Sequence, residues 1–174
     1  YEYDACRRTV GRTFAAGHSQ ALTHAFRWGK AAQLLARSTP EGQTRYHYSA
    51  SGQVTRVALH PPLGDDVWSQ EAEQELIFTY DALGRVISEE GENGRLGWTY
   101  DALSNRTSVE LPDGRHLKYF YYGSGHLLSL ALDNLPISDF TRDELHREVG
   151  RTQGLLTSRN EYDRLGRIHR RDVF

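Results

Sequence analysis

Apolar and polar residues alternate along most of the chain, in short runs that end at an aromatic residue. The runs that end at Trp28, Tyr80 and Tyr100 place large apolar side chains two residues apart. A period of two is typical of a β-strand with one half-buried face, because successive side chains point to opposite sides of a sheet. The alternation resumes after each turn, as at Leu128 and Leu130. The pattern therefore predicts strand, tight turn and strand, repeated along the chain.

The turns share a motif that is clearest at residues 80–86, Y-D-A-L-G-R-V. The aromatic anchor Tyr80 is followed by Asp81 and, four residues after the anchor, by Gly84. Glycine suits a turn position with positive φ, and an aspartate side chain can accept hydrogen bonds from the turn backbone. Copies of the motif predict the further anchors and turn residues Tyr48, Tyr100, Asp101, Tyr121, Gly125, Tyr162, Asp163 and Gly166.

The anchors recur at intervals of about twenty residues, as expected for a repeat protein. They lie at positions 3, 28, 48, 80, 100, 121, 140 and 162. In the copy that begins at Phe140, Glu144 takes the place of the glycine, as Ala32 and Ser104 do in two other copies. One hairpin cannot bury its apolar face, whereas stacked hairpins can. The predicted fold is all-β, with residues 1–174 forming a hairpin array within a spiralling sheet.

Two stretches depart from the repeat. Residues 60–74 contain two prolines and several acidic side chains. We expect them to leave the sheet as a loop, with a short helical turn at residues 69–75. Residues 31–37 are good helix formers, but their position in the repeat favours a strand over a helix.

Composition restricts the possible functions. The 21 Lys and Arg against 23 Asp and Glu give a net charge of -2, which predicts no direct nucleic-acid binding. A single cysteine, Cys6, can form neither an internal disulfide nor a multi-thiolate metal site. No apolar run is long enough to predict a membrane span. Because the chain contains no methionine, we expect it to be a piece of a longer protein.

Catalytic and metal-binding chemistry finds little support in the sequence. A tyrosine beside an aspartate could act in acid–base catalysis, but neighbours on a strand point to opposite faces and the pair recurs along the chain. The histidines lie in different repeats without an H-E-x-x-H motif, so only a meeting of distant repeats could form a metal site. Residues 123–125, G-S-G, lack the frame of a nucleophile elbow. We therefore predict no catalytic residue, no metal and no cofactor.

The ordered series of motifs resembles the YD repeat of bacterial Rhs (rearrangement hotspot) proteins. The resemblance is carried by the Y-D-A-L-G-R-V copies, Y-Y-G-S-G-H at residues 121–126 and R-T-Q-G-L-L-T-S-R at residues 151–159. It implies a cocoon, a hollow shell built from a spiralling sheet, which encloses a C-terminal toxin domain used in competition between bacteria. The implied partners are the rest of the shell, the enclosed toxin and, through the parent chain, a VgrG-type secretion spike protein, a chaperone and an immunity protein.

The resemblance also implies a route for the parent protein. Many Rhs proteins are type VI secretion effectors, which are made in the bacterial cytoplasm and then secreted or delivered into target cells. Their self-cleavage uses aspartates near a D-P-x-G-x-x-G motif, and the chain contains no Asp-Pro pair. We therefore expect no enzymatic activity from this segment. Two alternatives remain, an extracellular adhesion or ligand-binding module made of YD repeats and a shell similar to that of Tc toxins.

Overall fold

The chain folds into strands joined by turns. The computed structural model describes residues 1–14, 17, 21–64 and 67–174, and no helix occurs within these ranges. The strands are β1 (Glu2–Tyr3), β2 (Thr9–Phe14), β3 (Leu22–Trp28), β4 (Leu34–Thr39), β5 (Gly42–Tyr48), β6 (Val54–His60), β7 (Pro62–Gly64), β8 (Val67–Trp68), β9 (Gln74–Tyr80), β10 (Val86–Gly91), β11 (Gly94–Tyr100), β12 (Arg106–Glu110), β13 (His116–Tyr122), β14 (His126–Leu132), β15 (Leu135–Arg142), β16 (Glu148–Gln153), β17 (Leu156–Tyr162) and β18 (Ile168–Val173). The predicted all-β class is confirmed.

The chain divides into two units, Tyr1–Gly94 and Arg95–Phe174. In the first unit the antiparallel sheet follows chain order from β1 to β6 and continues with β9 and β10. In the second unit β11 to β18 also follow chain order. Within each unit, strands that are neighbours in the sheet are also consecutive in the chain, except for β6 and β9, which confirms the predicted hairpin array.

The described residues between His60 and Gln74 leave the main sheet, and β6 pairs directly with β9. His60 and Gln74, the predicted ends of the loop, belong to these two strands. Part of the stretch between them forms a separate two-stranded ribbon of β7 and β8. The predicted helical turn is wrong, because β9 already begins at Gln74 and the Glu73 N–H donates to the Leu59 carbonyl. The loop prediction also included Asp65 and Asp66, which lie outside the described residues.

The stretch at residues 31–37 is the end of a turn followed by the start of β4. The Ala32 N–H donates to the Gly29 carbonyl, and the Gly29 N–H donates to the Gln33 carbonyl. From Leu34 onward the backbone pairs with β3. Residues 34–37 therefore form a strand despite their helix-forming composition, because pairing with a neighbouring strand commonly overrides local helix propensity.

The two faces of the sheet differ in chemistry. Phe26 and Trp28 are half-buried on one face of β3, which we call the anchor face, whereas Arg27 between them is exposed on the other. On the opposite face, hydroxyl side chains form hydrogen bonds between paired strands. The Thr79 and Ser88 hydroxyls lie 2.5 Å apart. The predicted alternation is therefore present, with a polar layer behind the aromatic one.

The sheet buries few large side chains. The apolar residues that are most buried are small, namely Ala36, Ala58, Val109 and Ala131. The anchors Trp28, Tyr80 and Tyr100 remain half-buried, because the main sheet within each unit is a single layer of strands. A sheet with an apolar face normally packs that face against another layer. Hydrogen bonds between repeats therefore have an unusually large part in holding this array together.

Candidate functional site

Each anchor precedes a five-residue turn, which we call the YD turn and which residues 81–85 exemplify. The Asp81 N–H donates to the Arg85 carbonyl at 2.9 Å, and the Gly84 N–H donates to the Asp81 carbonyl at 3.0 Å. Gly84 has a φ of 81°, in the left-handed region that favours glycine. The same two backbone bonds close the turns at residues 4–8, 29–33, 49–53, 101–105, 143–147 and 163–167.

The aspartate that opens the turn holds it together from within. Oδ1 of Asp81 accepts the backbone N–H groups of Leu83 and Arg85, both at 2.9 Å. Oδ2 accepts Nε–H of the Arg85 side chain at 2.7 Å. These donors lower the pKa of Asp81, and the Arg85 backbone N–H contributes most. The same backbone contacts recur at Asp4, Asp101, Asp143 and Asp163.

The anchor hydroxyl points away from its neighbouring aspartate and binds the preceding repeat. Tyr80 donates its hydroxyl to the Val54 carbonyl at 2.6 Å. Val54 is the first residue after the preceding YD turn, where the strand register shifts opposite Tyr48. Such a bulge interrupts the regular strand ladder and leaves backbone groups that need another partner. The anchor of one repeat therefore supplies a hydrogen bond at the bulge of the repeat before it.

Most described repeats share this link. The equivalent donors and acceptors are Trp28 Nε1 and Thr9 O, Tyr48 and Leu34 O, Tyr121 and Arg106 O, and Tyr162 and Glu148 O. Burial raises the pKa of the Tyr48 and Tyr121 hydroxyls, so both remain protonated donors at neutral pH. The predicted Tyr-Asp pairs thus perform two separate structural tasks, and their polar atoms do not converge on one reacting point.

The seventh copy of the motif uses a different frame from the one predicted. Its turn opens at Asp143, and His146 has a φ of 61°, so His146 and not Glu144 stands in the glycine position. The residue before the turn is Arg142, whose Nε–H donates to the Leu127 carbonyl at 3.1 Å. Arg142 therefore takes the role of the anchor, and the assignment of that role to Phe140 is wrong. A guanidinium reaches the same acceptor that a tyrosine hydroxyl reaches elsewhere.

A contact between successive turns was not apparent from the sequence. The side chain of the fifth residue of one YD turn contacts the fourth residue of the next turn. Gln53, for example, donates its Nε2–H to the Gly84 carbonyl at 3.1 Å. A Cβ on Gly84 would lie 3.1 Å from Nε2 of Gln53. A Cβ on Gly125 would lie only 2.5 Å from Oδ1 of Asn105. These glycines therefore provide both the φ angle and the space for the preceding turn.

The described residues contain no group of three or more His, Cys, Asp or Glu side chains placed to bind a metal ion. His18, one of the histidines considered above, lies outside them. The part of the chain that the structure describes also has no helix that could span a bilayer. What the recurring contacts can do is join one hairpin to the next, so the fold and the site define an all-β hairpin-repeat protein.

Comparisons with known proteins match the repeat. The RHS Repeat family model matches residues 80–116. The chain is 38% identical over 154 residues to Double-stranded DNA deaminase toxin A of Burkholderia cenocepacia (strain H111). The matched region makes up 88% of the chain and 11% of that protein. The resemblance to Rhs, or YD-repeat, proteins that the motifs predict is thus confirmed by the family model.

Solved structures share the fold. The chain matches the Photorhabdus luminescens Tc holotoxin pore with a TM-score of 0.73 and 16% identity, over 90% of the chain and 9% of the matched chain. It matches the TcdB2-TccC3-Cdc42 structure with a TM-score of 0.73 and 17% identity, again over 90% and 9%. The chain thus spans about a tenth of the length of these relatives.

Proposed function

We propose that the chain is a section of the wall of a hollow Rhs shell that encloses a toxin domain of the same parent protein. The observation that carries the proposal is, within each unit, a single-layer repeat sheet whose anchor side chains stay half-buried while other large apolar side chains are exposed. A wall needs such uncovered surface, because its faces meet a cavity, a cargo or further wall.

Exposed leucines in the YD turns support the same proposal. The third turn residue is leucine in four turns, and Leu83, Leu103, Leu145 and Leu165 are 74%, 65%, 71% and 77% exposed. Large apolar side chains that recur at one turn position are typical of surfaces that another part of a protein covers. Further wall of the parent protein is the proposed cover.

We propose that the wall segment itself is not catalytic and that toxin activity resides in the enclosed domain. The name of the Burkholderia cenocepacia relative, a deaminase toxin, supports a toxin in the parent protein. Because the chain corresponds to 11% of that relative, its name does not assign an activity to these residues. Assays of the isolated cargo and of the cargo-free wall test this division, and activity of the cargo-free wall would contradict it.

We further propose that a type VI secretion system delivers the parent protein to competing bacteria. The partners of the parent chain would then be a VgrG-type spike protein, a chaperone and an immunity protein. Deletion of the spike gene is expected to abolish appearance of the parent protein in target cells. Retention of the protein on the surface of the producing cell, through a membrane span or wall anchor, would instead support an adhesion module.

Limited proteolysis of the intact parent protein tests encapsulation. We expect a large resistant particle in which the cargo survives together with this wall segment, as measured by intact mass after size-exclusion chromatography. The same protease applied after denaturation is the control and is expected to degrade both. Digestion of the cargo in the native particle at the rate of the free cargo would contradict the proposal.

A further inference from the structure

One junction between successive YD turns differs chemically from the others. At four other junctions the contacting side chain is an amide or a guanidinium beside a glycine, namely Gln33 and Gly52, Gln53 and Gly84, Asn105 and Gly125, and Arg147 and Gly166. Between residues 122–126 and 143–147 both positions are histidine. The rings of His126 and His146 stack with centroids 3.8 Å apart and planes 11° apart.

The backbone at His146 lies in the left-handed region, with a φ of 61°. Glycine occupies the same turn position at 81–85 and 163–167, whereas Arg7, Ala32 and Ser104 occupy it with positive φ in three other turns. The position therefore accepts residues other than glycine, and the stacked partner His126 is what distinguishes His146 from them.

Charged and titratable groups surround the stack. The Tyr122 hydroxyl lies 3.0 Å from Nδ1 of His146, and the Arg142 guanidinium donates to the His146 carbonyl at 3.1 Å. The carboxylate of Asp143 is already paired with Arg147 at 2.6 Å. Glu144 lines the same pocket of about 560 Å³ as His146. Histidine is the side-chain type whose ordinary charge change falls in the mildly acidic range.

We propose that the His126–His146 stack is an acid-sensitive junction, which joins two successive turns at neutral pH and loosens when the imidazoles become protonated. Two imidazolium rings at this separation repel each other and the neighbouring guanidinium. The amide and guanidinium junctions have no such response, because their charges do not change in this range. The junction goes beyond encapsulation, since it is a property of the wall whatever the wall encloses.

The sign of the effect follows from the electrostatics of His126. Burial, then the nearby His146 and then Arg142 lower the pKa of His126 below its ordinary value. The open or unfolded chain therefore binds a proton more readily than the stacked one. The stabilisation is present above the ordinary pKa of about 6.5 and is lost as the pH falls through the lowered value.

Amide hydrogen exchange of the intact protein, followed by mass spectrometry and corrected for the intrinsic effect of pH, tests the junction. Between about pH 7.5 and about pH 5, where histidine gains charge, peptides that cover residues 122–126 and 143–147 are expected to exchange several-fold faster. Peptides that cover residues 49–53 and 81–85 serve as the internal control and are expected to keep their protection. Equal responses at both junctions would overturn the proposal.

A double variant separates the histidine pair from general acid loosening. His126→Gln with His146→Gly installs the pair found at Gln53 and Gly84 and also relieves the positive φ, so the variant is expected to fold. Its exchange at residues 143–147 should no longer depend on pH after the intrinsic correction. A persistent acid response would refute the role of the stack. Cargo protection at neutral pH should match the parent protein, so this result is independent of encapsulation.

Discussion

At the scale of single residues, the Tyr-Asp pair divides two tasks between two faces of the backbone. Asp81 closes its own turn by accepting three hydrogen bonds, whereas Tyr80 reaches back to Val54 of the preceding repeat. The pair recurs because each hairpin needs both a closed turn and a link to its neighbour. Catalysis would instead require the polar atoms of the two side chains to meet at one point.

The anchor bond can be measured at Tyr80. Tyr80→Phe keeps the ring and removes the donor to the Val54 carbonyl, so unfolding in urea should show a loss of about 1 kcal/mol. Tyr46→Phe is the matched control, because the Tyr46 hydroxyl has no hydrogen-bond partner among the described residues. Equal loss in the two variants would show that the hydroxyl bond does not stabilise the repeat.

The aspartate predicts an acid dependence. The pKa of Asp81 is lowered in the folded state by the Arg85 backbone N–H and then by its side chain. Its contribution to stability is therefore present above the ordinary aspartate pKa of 3.8 and is lost as the pH falls through the lowered value. Asp81→Asn should flatten the melting temperature measured across this acid range. Asp139→Asn, on a strand, is the control, and the same flattening there would contradict the assignment.

At the scale of the element, the fourth turn residue has to satisfy both φ and space. Gly84 and Gly114 have φ angles of 81° and 82°, but only a Cβ on Gly84 would meet a neighbouring side chain. Gly114→Ala should therefore cost about 1 kcal/mol from backbone strain alone. Gly84→Ala should cost more, because Gln53 must also move, and urea unfolding of both variants measures the difference. Equal losses of stability in the two variants would show that the contact with Gln53 does not restrict the residue at position 84.

The seventh repeat tests whether the hydrogen bond, more than the aromatic ring, defines an anchor. Arg142→Tyr restores the residue found in other repeats and should keep the stability of the parent chain. Arg142→Ala removes the donor to the Leu127 carbonyl and should cost about 1–2 kcal/mol in thermal or urea unfolding. If Arg142→Ala unfolds like the parent chain, Arg142 is not an anchor.

The sequence predicts the strands and turns that recur in frame, but it does not predict the contacts between residues that are distant in the chain. The alternation before Tyr80 and the motif Asp81 to Gly84 recur in frame, so strands and turns follow from them directly. The anchor role of Arg142 does not follow from the motif, because the other anchors are aromatic and Phe140 is an aromatic residue two positions earlier on the same strand. The contacts between turns join residues about twenty positions or more apart in the chain, and a local pattern does not report them.

At the scale of the whole molecule, each of the two units is a single-layer sheet and lacks within itself the second layer that usually stabilises a sheet. Many large apolar side chains are exposed, and exposed leucines recur in the turns. An uncovered sheet of this kind is prone to pair or pack with other protein. We therefore expect the isolated chain to associate in analytical ultracentrifugation and to remain dispersed when it is part of the parent protein. A stable isolated monomer would show that the uncovered surfaces need no partner.

A cryo-electron microscopy reconstruction of the intact parent protein at neutral pH tests whether this wall segment encloses a toxin domain. Encapsulation predicts a closed, hollow wall that contains this hairpin array, with density for the toxin domain inside it. An open sheet, or a toxin domain located outside the wall, would contradict encapsulation.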